Sequence, residues 1–276
     1  MKFDLDTAWK DTTTVLRDNL RLLAVVAGVF YFVPYLAALL WIPGLADLVM
    51  GQFDPESSAM EAKVNAMFAN YWWALVILGL VQGIGFLAML ALLRRRANPT
   101  VAQALQVGTR SVLSYIATSL LLGLVLGLAI LLAVAPGAVL KMPVLVVIGA
   151  IVALVVSCYL FTKFSIVSPV IAIDEVLNPF AAMGRSWRLT KNNSLRLFFF
   201  FALLFIAYAV ISAVVSMVFS LIFALGGAEA QTFGQAFATS LMNALFAIVF
   251  AGVLAAVHAQ LSRLTAPRAD RDPLGE

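Results

Sequence analysis

The stretch NPFAAMGRSWRLTKNNSLRLFFFF, Asn178 to Phe201, places Arg185, Arg188, Lys191 and Arg196 close together and follows them with four phenylalanines. Guanidinium and ammonium groups at that density suit the recognition of anionic oxygens, phosphate above all. Trp187 stands among them, and an indole has an apolar body with one polar N–H. Lys163 and Glu175 lie shortly upstream. The set Lys163, Glu175, Arg185, Trp187, Arg188 and Lys191 therefore reads as a site for an anionic headgroup.

Catalytic residues are scarce elsewhere. Hydrolytic and metal-assisted chemistry needs carboxylates, histidines or thiolates clustered in space. His258 is the only histidine and falls near the end of the last apolar run, where packing or an interfacial role suits it. Cys158 is the only cysteine, so no disulfide framework exists. The chain has no HExxH, no CxxC and no phosphate loop, and it implies no metal, no cofactor and no catalytic residue. No Asp or Glu falls in the middle of an apolar run, which argues against a proton-driven pump.

The elements that must position the basic set are apolar. Hydrophobic residues make up 63% of the 276 and charged ones 12%, about half the usual share. Mean hydropathy is +1.01. Six apolar runs, at about 20–42, 71–93, 111–134, 143–163, 195–225 and 236–260, reach the ~20 residues a helix needs to cross a bilayer. Their length makes them helices rather than barrel strands. The first run is too long for a signal peptide, and residues 1–19 carry four acids, Asp4, Asp6, Asp11 and Asp18. Of the 18 basic residues only Lys63 and Lys141 fall on one side of the implied membrane. The positive-inside rule then puts both termini in the cytoplasm. The triplet Arg94, Arg95 and Arg96 directly follows a span and serves as a topology anchor. The basic balance restates this asymmetry and is no sign of nucleic-acid binding.

Three amphipathic stretches precede pairs of spans. Leu5, Trp9, Thr12 and Leu16 lie opposite Lys10 and Arg17; Val101, Leu105 and Gly108 lie opposite Gln103 and Gln106; Phe180, Met183 and Trp187 lie opposite Arg185, Arg188 and Lys191. Asn98 and Asn178, each followed by proline, read as helix starts. The expected architecture is an all-α integral membrane protein of six transmembrane helices in three hairpins. A cytoplasmic helix lying in the membrane surface precedes each hairpin, in units 1–97, 98–177 and 178–276. Asp54 and Pro55 suggest a further short helix on the outer surface, with Met60, Val64 and Met67 on one face. Trp41, Tyr71, Trp72 and Trp73 bracket it as an aromatic belt. Gly79 with Gly83, and Gly123 with Gly127, are spaced for close helix packing. Ser212, Ser216 and Ser220 form a polar stripe along the fifth span. From Pro143 to Ile173 the apolar run would reach ~46 Å as one straight helix. It must tilt, kink at Ser168–Pro169, or emerge into the cytoplasm.

The stretch YLFTKFSIVSPVIAIDEVLNPFAAMGRSWRLTKNNSLRLFFF, Tyr159 to Phe200, resembles the signature of the membrane domain of bacterial glycerophosphoryl diester phosphodiesterases. It is also similar to the related stand-alone YciC-like membrane proteins. The matching positions are Lys163, Ser168, Pro169, Glu175, Ala182, Arg185, Ser186, Trp187, Leu189, Thr190 and Lys191, with Asn192 where glycine is usual. Either residue adopts a left-handed conformation at a helix end. In fused relatives the phosphodiesterase chemistry belongs to a separate soluble domain whose acids and histidines this chain lacks. The resemblance thus implies a non-enzymatic protein of the bacterial inner membrane that contacts phospholipids, anionic ones included, or scaffolds a protein partner. A transporter or flippase for a lipid or small amphiphile is the competing reading. Gln82, Ser157, Ser212, Ser216 and Asn243 are candidates to line its path.

Overall fold

The computed structural model describes residues 3–49, 58–94 and 99–265. Helices long and apolar enough to cross a membrane run over Leu5–Trp41, Glu61–Leu92, Val101–Val139, Pro143–Ala172, Ser194–Ala224 and Gly227–Thr265, one at each apolar run of the sequence. Among the described residues there is no strand. The protein is an all-α, multi-pass membrane protein.

The first span comprises α1 (Leu5–Ala27), a π-helical turn at Gly28–Phe32, and α2 (Val33–Trp41). Pro34 explains the turn: it has no N–H to give and its ring crowds the carbonyl four residues back. The ladder widens so that the Val33 N–H reaches Gly28. A short α3 (Leu45–Val49) leads to α4 (Ser58–Leu92), then α5 (Val101–Val139) and α6 (Pro143–Phe164). The fourth span breaks at Ser165–Ile166 and resumes as α7 (Val167–Ala172). Pro169 sits four residues after Ser165, so it denies the Ser165 carbonyl its helical partner, and the ladder opens there. The kink thus precedes the Ser168–Pro169 bond. Next come α8 (Pro179–Leu189), α9 (Ser194–Ala224) and α10 (Gly227–Thr265).

The spans close into a ring in chain order. α1 packs on α4, α4 on α5, α5 on α6, α6 on α9, α9 on α10, and α10 returns to α1 while also touching α4. α10 lies innermost: 67% of its most apolar window is buried, against 6% for α5 and 11% for α9. Its sequence permits this, because Ala236, Ala238, Ala244, Ala247, Ala251, Gly252, Ala255 and Ala256 line its buried length. Small residues let neighbouring backbones approach, the main source of helix packing in lipid. Leu120, Leu132, Val144, Met217 and Leu221 of the outer helices are exposed, as lipid-facing side chains are.

Several expectations are corrected. Gly79, Gly123 and Gly127 have open space where a Cβ would go, and Gly83 has only ordinary contacts. Close approaches lie at other glycines: a Cβ at Gly108 would meet the Ile84 carbonyl oxygen at 2.6 Å, and Cβ atoms at Gly137 and Gly149 would meet the backbone of Val146 and Ala133. Only the third amphipathic stretch is a separate helix. The first is the opening of α1 and the second the opening of α5, because no turn residue interrupts either before its span and extending a helix costs less than starting one. At the third, Asn192 takes the left-handed conformation (φ 66°) and parts α8 from α9. On the far side, Val64 and Met67 belong to α4 itself rather than to a separate surface helix. α5 starts at Thr100, whose hydroxyl accepts from the Gln103 N–H while the Gln103 side chain accepts from the Thr100 N–H. Lys2, Asp54, Pro55, Arg95, Arg96, Asn98, Arg268 and Arg271 lie outside the described residues, as does the side chain of Met60. Trp41 meets Tyr71 and Trp73 edge-on, each with ring centres 5.8 Å apart.

Candidate functional site

The basic set gathers where α6, α7, α8 and α9 meet. Asn178 starts α8 by accepting from the N–H groups of Phe180 and Ala181, with Pro179 in the first turn. The far end of α8 is tied to α6. The Lys163 carbonyl, left without a helical donor by the break, accepts from the Ser186 hydroxyl at 2.8 Å and the Thr190 hydroxyl at 3.4 Å. These bonds fill acceptor positions that a helix end leaves open. Ala182, Ser186 and Leu189 form the buried side of α8.

Two adjacent acids in the link from α7 to α8 serve different partners. Glu175 adopts a left-handed conformation (φ 55°). Its carboxylate pairs with Arg94, just past α4, at 2.5 Å. The Asp174 carboxylate lies 2.7 Å from Arg185 Nε on α8 and 2.9 Å from His258 Nε2 on α10. The Arg185 contact is an ion pair without good hydrogen-bond alignment. Burial alone would push the Asp174 carboxyl up; the His258 hydrogen bond and charge, with Arg185, outweigh it and hold the group below its usual value. One acid thus joins two helices, and Glu175 joins a third.

Lys163 stands apart from these pairs. Its side chain is only 5% exposed. Its ammonium lies 5.5 Å from the Tyr159 ring centre and 5.1 Å from that of Trp187. Those two rings meet edge-on at 5.8 Å, and Phe164 packs against Trp187 at 5.6 Å. Lys191 is near enough to repel Lys163. No carboxylate among the described residues pairs with it. The sequence suggested that Lys163 and Glu175 meet; instead the left-handed turn at Glu175 accompanies its pairing with Arg94. Arg188 and Lys191 are exposed, whereas Arg185 is engaged by Asp174.

Phe3 closes over the same corner. The Phe3 N–H donates to Asn193 Oδ1 at 2.8 Å, and Arg196 donates to the Phe3 carbonyl at 2.7 Å. Phe3 is fully buried against Phe200. Reading the sequence missed Asp174 and His258 as partners. Their available signal was that the only histidine falls at the same end of its span as the two acids.

Cavities flank the bundle. One of about 280 Å³ is lined by Gln103, Gln106, Arg110, Ser111 and Glu175 at the basic end. Another, of about 430 Å³, lies between α9 and α10, where Ser212, Ser216 and Ser220 face Gln235 and Thr239. Ser157 lines an apolar groove instead. The side-chain amide nitrogens of Gln82 and Asn243 are buried without a hydrogen-bond partner among the described residues.

The chain belongs to the family described as "Domain of unknown function (DUF7847)", whose model matches residues 5–261. No curated protein and no solved structure matches it. The match runs from the first residue of α1 to the last turns of α10, so the six spans and α8 fall within one family unit.

Proposed function

We propose that this is a non-enzymatic membrane protein that binds or organises phospholipid at its basic end, with anionic lipids preferred. The observation that carries the reading is α8: a separate helix with an apolar side docked on the bundle and two exposed cations, Arg188 in its last turn and Lys191 just past it, that pair with no carboxylate among the described residues. A basic residue near an anionic surface contributes about 1 kcal/mol, so the pair supplies about 2 kcal/mol, or roughly thirtyfold, if independent. Charge asymmetry supports a cytoplasmic location for this end. The resemblance of the stretch from Tyr159 to Phe200 to bacterial membrane domains supports placement in an inner membrane. Scaffolding of a protein partner at the same face is compatible with this reading.

Native mass spectrometry on protein released from nanodiscs of mixed phosphatidylglycerol and phosphatidylcholine tests it. The expected result is that Arg188→Gln with Lys191→Gln retains less of the anionic lipid than the wild type. Equal retention would reduce the patch to a topology signal.

A second reading, transport of a lipid or small amphiphile, is favoured by the hydroxyl- and amide-lined cavity between α9 and α10. Filling it with Ser216→Leu would then abolish flux in reconstituted vesicles without altering lipid retention at α8.

A further inference from the structure

We infer that Lys163 is the phosphate ligand of one ordered phospholipid, seated where α6 and α8 meet. The inference deepens the lipid-contact reading and rests on it. A charged side chain that is nearly all buried is costly unless something pairs with it. Lys163 is such a group, at 5% exposure. The faces of Tyr159 and Trp187 give it partial compensation. The neighbouring charge, Lys191, is of the same sign and makes the deficit larger. The two acids closest along the chain are committed elsewhere, Asp174 to Arg185 and His258, Glu175 to Arg94. An anion supplied from outside would supply the missing charge.

The way in faces lipid. Tyr159 and Trp187, the rings that flank the ammonium, are both exposed, and Tyr159 belongs to a membrane-spanning helix. The flanking rings therefore border the lipid rather than a water-filled cleft, and a phosphate ester carrying acyl chains reaches the ammonium from that side. The apolar groove between α6 and α9, lined by Cys158, Phe161, Phe201, Ala202 and Phe205, lies on the opposite face of α6, since residues two apart on a helix do not share a face.

The test uses the full-length protein, loaded from the same mixed-lipid nanodiscs and stripped by increasing collisional activation. The wild type should keep one phospholipid after the others have left. Lys163→Met should lower that occupancy roughly tenfold, and Lys163→Arg should restore it. Ala202→Trp, which fills the apolar groove on the opposite face of α6 and touches no charge, should leave the same lipid in place. Millimolar inorganic phosphate should not displace it. Arg188→Gln with Lys191→Gln should thin the surrounding lipid and weaken, without abolishing, the ordered one. If Lys163→Met keeps the last lipid, or Ala202→Trp expels it, the site is not there, even when the Arg188 and Lys191 variant still sheds its surrounding lipid. If no variant differs from the wild type, both this inference and the broader reading fall. Displacement by phosphate alone would mark a free-anion site and also overturn it.

Discussion

Asp174 matters because it serves three helices at once. It follows the last turn of α7, faces Arg185 of α8, and takes a hydrogen bond at His258 of α10. Its folded-state pKa lies below the usual carboxylate value of 3.8, so the folded protein favours the charged form. A depressed carboxylate contributes stability that is whole above its unfolded pKa and is lost as pH falls through the folded one. Asp174→Asn should therefore destabilise the protein by about 1–2 kcal/mol at neutral pH, less than a fully buried pair because Arg185 is partly exposed. The same variant should lose less stability than the wild type between about pH 5 and about pH 2. Thermal unfolding in detergent, followed across that range, measures both. Identical wild-type and variant curves would show that the ion pair is replaced by water without cost. Lys163 shows the contrasting case at this scale, a cation whose surroundings are aromatic rather than acidic.

Helices here are set by two things, apolar length and interruption, and these differ in how openly the sequence declares them. Length was plain: every apolar run of the sequence became a spanning helix. Interruption was plain only where a residue enforces it. Pro169 and Asn192 give a break and a left-handed turn, while the changes from amphipathic to apolar after Arg21 and after Arg110 carry no breaker and are crossed without a turn. Packing was the least legible, because a small residue permits close approach without saying which face will be used. Gly123 and Gly127 have the right spacing but open surroundings; Gly108 has no partner glycine and lies against the Ile84 carbonyl. Gly108→Ala should accordingly lower stability by about 1–3 kcal/mol, since the obstructing atom is backbone and must shift. Gly123→Ala should raise it by up to about 1 kcal/mol through helix propensity alone. Melting of the two variants side by side decides whether the α4–α5 contact is as close as described. The candidate site divides in the same way. Its cations and Trp187 stood out as residue types, but the pairing of Glu175 with Arg94 required the fold, since these residues lie 81 positions apart.

At the scale of the whole molecule, the protein is polar in both senses, with one basic end and one nearly free of cations. Lys10, Arg17, Arg94, Arg110, Arg185, Arg188, Lys191, Arg196 and Arg263 all belong to helix ends on the side of α8, while Lys63 and Lys141 lie on the other with Asp47, Glu61 and Glu229. Even numbers of crossings return the chain to the side it started from, so α1 begins and α10 ends at the basic face. Insertion is biased by lysine and arginine close to the spans, and acids weigh little. That asymmetry predicts the basic face in the cytoplasm. That orientation would set Arg188, Lys191 and Lys163 against the leaflet where anionic lipid creates a negative surface potential. In a background carrying Cys158→Ala, Glu229→Cys at the start of α10 and Gln106→Cys near the start of α5 report on opposite faces, and both native side chains are exposed. A membrane-impermeant maleimide added to intact bacterial cells should label Glu229→Cys and spare Gln106→Cys until the cells are opened. Labelling in the reverse order would turn the basic corner outward, remove the cytoplasmic leaflet as its source of lipid, and require that lysines and arginines be translocated against the bias that orients membrane proteins.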